Sequence, residues 1–244
     1  MLTLHLDNGE HIRVARNEQV QLACGAEFDR VEITNYKGEK TEQTTDEFVF
    51  TDVPDICEVV FTNGGTFVCR AVVEVVERHY FSIDALKAQD DTNDFQGVTD
   101  EQFFRARQAA TEVFEQNAHR SFVNRLGKTE TYSGDFCWLA HNDVSSIFTP
   151  HVDQLSKCTV QAPLGHLVIE YIYGLDWIPA RVSAAVMSLT GYYLRPSTTP
   201  ERATGEAVDG GFIRFTLAGK DGATGLPEVD AVIEQYGCNR VIVL

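Results

Sequence analysis

The chain has 244 residues, 43% of them hydrophobic, with 36 acidic against 20 basic side chains and a net charge of -16. That length lets a chain bury roughly 70–75% of its unfolded surface, so no disulfide or metal is needed for a core. The charge repels phosphate backbones and anionic lipid unless cations are segregated locally, and here Arg and Lys are spread singly.

One or two domains are expected from this length. The opening "MLTLHLDNGEHIRV" has neither a basic leader nor a long apolar core, and no stretch reaches the ~18 apolar residues of a bilayer span. A soluble, cytoplasmically made protein without membrane contact is expected. Six cysteines (Cys24, Cys57, Cys69, Cys137, Cys158, Cys238) lack CxxC spacing and read as reduced, mostly buried thiols. An acidic surface is compatible with DNA that passes without sticking.

From Leu2 to about Phe81 the pattern alternates with period two, in short runs such as "LTLHL", "HIRVA", "QVQLAC" and "FVCRAVVEVV". Asp7-Asn8-Gly9, Lys37-Gly38 and Asn63-Gly64-Gly65 accept positive φ and are read as tight hairpins. Residues 1–82 are therefore expected to form an antiparallel β-sandwich. The polar, acidic stretch 83–98 is read as a linker, because it carries too little apolar surface to offset its ordering entropy.

Residues 99–244 change character. "TDEQFFRARQAATEVFEQNAHRSF" predicts a helix with Phe103, Ala106, Ala110, Val113, Phe114 and Phe122 on one stripe, a Thr99/Gln102 capping box and acidic residues in its first turn. Residues 127–175 return to strand patterning and form a β-rich insertion. Pro179 then opens "PARVSAAVMSLTGYYLRP", whose stripes Val182/Val186/Leu189/Tyr193 and Ala180/Ala184/Met187/Gly191 predict a helix buried on two sides. "TTPERATGEAVDGG" is read as a loop, "FIRFTLAG" as a strand and "PEVDAVIEQYG" as a short closing helix. The fold class is α+β.

Chemical motifs are sparse. "GKDGATG" (Gly219, Gly222, Gly225) matches neither the dinucleotide fingerprint nor the P-loop and is read as a hinge before the last helix. Cys137, His141, His151 and Cys158 lie close in sequence but lack the tight ligand pair of a zinc site. His119, at a helix end, reads as a favourable cation or a surface residue. No G-x-S-x-G occurs, and carboxylates are too numerous for any pair to be informative. Tyr171, Tyr173, Trp177 and Trp138 suit either stacking on sugars or bases, or filling a core or interface. No catalytic residue, metal or cofactor is assigned.

Three segments in order resemble the head-to-tail connector (adaptor) proteins of long-tailed bacteriophages, over about residues 97–244. They are the opening helix ending in Arg120 and Phe122, the strand, Tyr173-x-Gly174-type turn and Pro179-started helix, and the closing segment with Gly225, Pro227, Val229 and Asp230. The resemblance implies a non-enzymatic virion protein of the neck, assembled in the host cytoplasm as a ring that is twelvefold in the family. Its implied partners are the portal, a tail-side stopper or completion protein, and DNA passing through the centre. Such a ring closes through heterologous contacts. The terminal Val241, Ile242, Val243 and Leu244 are read either as a final core strand or as a strand that docks on a partner. A carbohydrate- or receptor-binding virion module, using the amino-terminal sandwich, is the alternative.

Overall fold

The computed structural model describes residues 1–90, 93–133, 136–195, 205–208, 211–214 and 224–238. The chain divides into two compact units, and they do not follow the order of the sequence. One comprises Met1–His79 with Ser121–Trp177, the other Tyr80–Arg120 with Ile178–Leu244. The β-rich segment read as an insertion in the helical part thus belongs to the same unit as the amino-terminal strands.

Eight strands open the β unit: β1 (Leu2–Leu6), β2 (Glu10–Ala15), β3 (Gln19–Cys24), β4 (Arg30–Thr34), β5 (Lys40–Gln43), β6 (Glu47–Val49), β7 (Asp55–Asn63) and β8 (Thr66–Val76). They form a three-stranded sheet, β1-β3-β6, and a five-stranded sheet, β2-β8-β7-β4-β5. Inward side chains meet between the sheets: Phe48 of β6 lies edge-on to Phe61 of β7, ring centroids 6.3 Å apart, among Leu4, Val20, Leu22, Val59 and Val73, all at most 1% exposed. Two of the three predicted hairpins form, β4–β5 and β7–β8. In the first, the Asn35 side-chain oxygen accepts from the amides of Lys37 and Glu39, and Gly38 turns at positive φ.

The purely antiparallel expectation is corrected. β1 pairs with β3 in parallel, and β2 pairs with β8 in parallel, Glu10 opposite Ala71. Asp7-Asn8-Gly9 does turn, with Gly9 at φ 83 and its amide bonded to the Arg70 carbonyl. The turn passes the chain from one sheet to the other instead of folding β1 onto β2.

The rest of the unit comprises β9 (Arg125–Ser133), β10 (Cys137–Trp138), β11 (Val144–Ile147), β12 (Asp153–Gln154), β13 (Thr159–Gln161) and β14 (Gly165–Tyr173). The sheet β11-β14-β9 is antiparallel, its long ribbon running from Gly165 opposite Ser133 to Tyr173 opposite Arg125, and β10-β13-β12 forms a smaller sheet. Their shared core holds Leu139, Val144, Val160, Ile169, Tyr171 and Tyr173. Gly127 is where the backbone passes closest to that core, since a Cβ there would run into the Tyr171 ring.

The helical unit contains α1 (Ile83–Lys87), α2 (Asp100–Ala118), α3 (Ala180–Leu194), the hairpin β15 (Gly205–Val208) with β16 (Gly211–Arg214), and α4 (Pro227–Tyr236). The hairpin replaces part of the expected loop. The stretch read as a linker is ordered where described. Leu86 and Phe95 are buried against Gly191 of α3, Phe95 lies edge-on to Phe103, and the Asp90 carboxylate accepts from the amides of Asp94 and Phe95. Two apolar anchors in an otherwise polar stretch are enough to hold it.

α2 starts on the predicted capping box, the Thr99 hydroxyl accepting from Gln102 N–H and the Gln102 side chain accepting from Thr99 N–H. It ends at His119, which adopts the left-handed conformation, so Phe122 lies beyond the helix. The buried stripe is Phe103, Phe104, Arg107, Ala110, Thr111, Phe114, Glu115 and Ala118, while Ala106 and Val113 are half-buried. Pro179 sits at the N-cap of α3, one position earlier than predicted. α3 buries Val182, Val186, Met187 and Leu189 but exposes Ala180, Ala184 and Tyr193, correcting the two-sided reading.

Candidate functional site

The ends of α2 and α4 meet in one junction. The last turn of any helix leaves carbonyls without intrahelical partners. Here the two helix ends satisfy each other. The Arg120 guanidinium, just past α2, donates to the carbonyl of Tyr236, the last residue of α4, at 3.0 Å. In return the Cys238 amide, just past α4, donates to the carbonyl of Ala118, the last residue of α2, at 2.8 Å. A cation at a helix carboxyl end also complements the helix dipole.

Gly237 makes the approach possible. A Cβ there would lie 2.6 Å from the Ile233 carbonyl oxygen and 3.1 Å from that of Ala118. Beneath the junction, Glu115 is buried and its carboxylate accepts from the Tyr80 hydroxyl at 2.7 Å. From α3, the Arg181 guanidinium reaches the Gln235 side chain.

The other end of α4 is stitched by its own side chain. No side chain caps Leu226; instead the Asp230 carboxylate accepts from both the amide and the hydroxyl of Thr224, each at 2.9 Å. The Thr224 hydroxyl in turn accepts from Leu226 N–H. Gly225 between them has φ 82, and Pro227 occupies the first turn, where its missing N–H costs nothing. Val229 is fully buried. Gly225, Pro227, Val229 and Asp230 therefore act together as a loop-to-helix lock. Gly219 and Gly222 of the expected hinge, and Val241 to Leu244, lie outside the described residues.

The remaining motif residues are in the β unit. Gly174, at φ 105, passes so close to Val123 that a Cβ would overlap its carbonyl, and its amide donates to the Asp143 carbonyl. Tyr173 stacks on His141 with ring centroids 3.8 Å apart. Phe122 is fully buried. The Tyr171 hydroxyl bonds Thr129 and His141, both at 2.8 Å, and burial pushes its phenol up despite those bonds. Of the aromatic candidates, Tyr171 and Tyr173 are core, whereas Trp138 and Trp177 are exposed. Among the described residues no group of three or more His, Cys, Asp or Glu side chains is arranged around a metal position.

A further polar cluster, which no sequence motif marks, lies in the β unit. Glu74 is 2% exposed and lies between two guanidiniums. Arg13 Nε donates to it at 2.9 Å, and Arg125 donates through Nε at 2.6 Å and Nη2 at 2.9 Å. Burial alone would raise the Glu74 carboxyl; the charges of Arg13 and Arg125 overcome that and hold it at about 2. A signal is present: in "RAVVEVV" Val72 and Val76 share the strand face of Glu74, so that face is apolar around the carboxylate and not the polar face of a half-exposed strand.

No family model matches the sequence, and no curated protein matches it. Among solved structures, the chain is similar to one from the virion of a native gene transfer agent (GTA) particle, at 17% identity and TM-score 0.41, covering 60% of this chain and 81% of that one. It is also similar to a chain from the neck of a native GTA particle computed with C12 symmetry, at 16% identity and TM-score 0.40, covering 68% of this chain and 96% of that one. Its structural likenesses thus include components of a virion and of a neck.

Proposed function

We propose that this chain is a non-enzymatic virion structural protein, a head-to-tail adaptor that assembles as a ring beneath the portal. It receives a tail-side stopper or completion protein while DNA passes through the centre. The observation that supports the reading is the reciprocal closure of α2 and α4. Residues from the first and third segments of the resemblance, Arg120 and the stretch ending at Gly237, meet in one junction. The Thr224–Asp230 lock gives the Gly-x-Pro-x-Val-Asp residues a common mechanical task at the other end of α4.

In this reading the junction sets the point from which residues 239–244 depart, and Val241 to Leu244 add a strand to a partner sheet. The net charge of -16 suits a subunit past which DNA slides. The test is negative-stain imaging of the purified chain mixed with the portal protein of the same particle. Rings capping the portal are expected; a mixture in which the two never associate overturns the proposal. Deleting residues 240–244 is expected to abolish that association and leave the far-UV circular dichroism unchanged.

A further inference from the structure

The β unit contains a pair of thiols that face each other from opposite sheets. On β3, Val20 and Leu22 are fully buried, and Cys24 continues the same inward parity. On β8, Cys69 stands opposite Phe61 of β7, which points inward to Phe48 of the other sheet. The segment after β3 is tied down over this spot. Phe28 packs edge-on against Phe61 at 5.2 Å, the Asn63 side chain donates to the Glu27 carbonyl, and Asp29 N–H donates to the Thr62 carbonyl.

We propose that Cys24 and Cys69 form a reversible disulfide that staples the two sheets of the amino-terminal sandwich when the protein meets a peroxide or a small-molecule disulfide. The inference does not rest on the proposed function. Cys69, 7% exposed, is pushed up to about 12, first by burial and then by the neighbouring Cys24 sulfur. Cys24 is half-buried and borders an open hollow lined also by Gly25, Ala26, Glu27, Phe28 and Asn63. Cys24 is therefore the sulfur that oxidant reaches first.

With hydrogen peroxide the chemistry balances in two steps. The Cys24 sulfur takes one peroxide oxygen, giving a sulfenic acid and one water. The Cys69 sulfur then attacks the Cys24 sulfur, the S–O bond breaks, and the hydroxyl leaves with the Cys69 proton as a second water. Two thiols supply the two electrons that reduce one peroxide. Cys57 and Cys137 are not placed for this: Cys57 is bonded to the Asp55 carboxylate, and Cys137 lies in the separate core of the β9–β14 region.

The experiment treats the purified full chain with hydrogen peroxide, then maps its peptides without reductant and titrates its thiols after unfolding. Two of the six thiols are expected to disappear, a peptide joining Cys24 to Cys69 to appear, and reductant to reverse both. The bond would close a loop of about 45 residues and raise the melting temperature by about 5–10 °C. Cys24→Ala, at a half-buried position, is expected to fold, to lose the linked peptide and to lose the rise in melting temperature. Retention of all six thiols, a different pairing, or oxidation stopping at Cys24 without the linked peptide would overturn the proposal.

Discussion

In the β unit, Glu74 lies beneath the surface between Arg13 and Arg125, whereas in the helical unit the bonds from Arg120 to Tyr236 and from Thr224 to Asp230 sit at helix ends that solvent partly enters. The difference is one of what is left behind on removal. A carboxylate taken from between two guanidiniums strands buried charge, while a broken helix-end bond is partly replaced by water. Polar interactions of similar length therefore differ in consequence, and depth decides which are large.

The sharpest way to break that comparison is Glu74→Gln, which keeps the shape and removes the charge. It is expected to cost about 3–5 kcal/mol, read as a lower urea midpoint. Both tryptophans, Trp138 and Trp177, belong to the β unit, so fluorescence follows that unit. Acid is the next largest perturbation. The folded carboxyl of Glu74 is held at about 2, below its ordinary 4.5, so its stabilisation is complete above pH 4.5 and fades as pH falls toward 2. The loss is about 3 kcal/mol over that window, and it should be missing in Glu74→Gln.

Smaller effects belong to the helical unit. Asp230→Ala removes both bonds to Thr224 and is expected to cost about 1–2 kcal/mol, measured by far-UV circular dichroism during thermal unfolding. Thr99→Ala breaks the capping box of α2 and is expected to cost about 1 kcal/mol in the same assay. If Asp230→Ala exceeded Glu74→Gln, depth would not be the deciding variable.

How far these features could be read from the sequence varies with how local they are. The capping box of α2 and the hairpins at Lys37-Gly38 and Asn63-Gly65 were legible because a turn or a cap is decided by a few adjacent residues. Asp7-Asn8-Gly9 has the same turn chemistry, but such chemistry reports a reversal and not which sheet the next strand joins. Of the stripe Ala180/Ala184/Met187/Gly191, Met187 and Gly191 are buried and the two alanines are exposed, because alanine tolerates water and core alike. Leu86 and Phe95 were overlooked because composition averages over a window while packing needs only single anchors. At the candidate site, Arg120, Pro227 and Asp230 were named by resemblance. Gly237 closes the predicted helix "PEVDAVIEQYG", and its approach to Ala118 is not legible there because it depends on two segments far apart in sequence.

The interrupted order of the β unit bears on synthesis by the ribosome. β4–β5 and β7–β8 can zip as soon as they emerge, but β2 must wait for β8, and Glu74 acquires only Arg13 until the 80–120 segment has passed and Arg125 follows. A nascent chain stalled between residues 80 and 120 is expected to be cut readily by protease within its first 79 residues, and one stalled well beyond residue 177 to resist. Translation thus completes the sandwich out of turn, and its last guanidinium arrives from a segment made after the opening helix of the other unit.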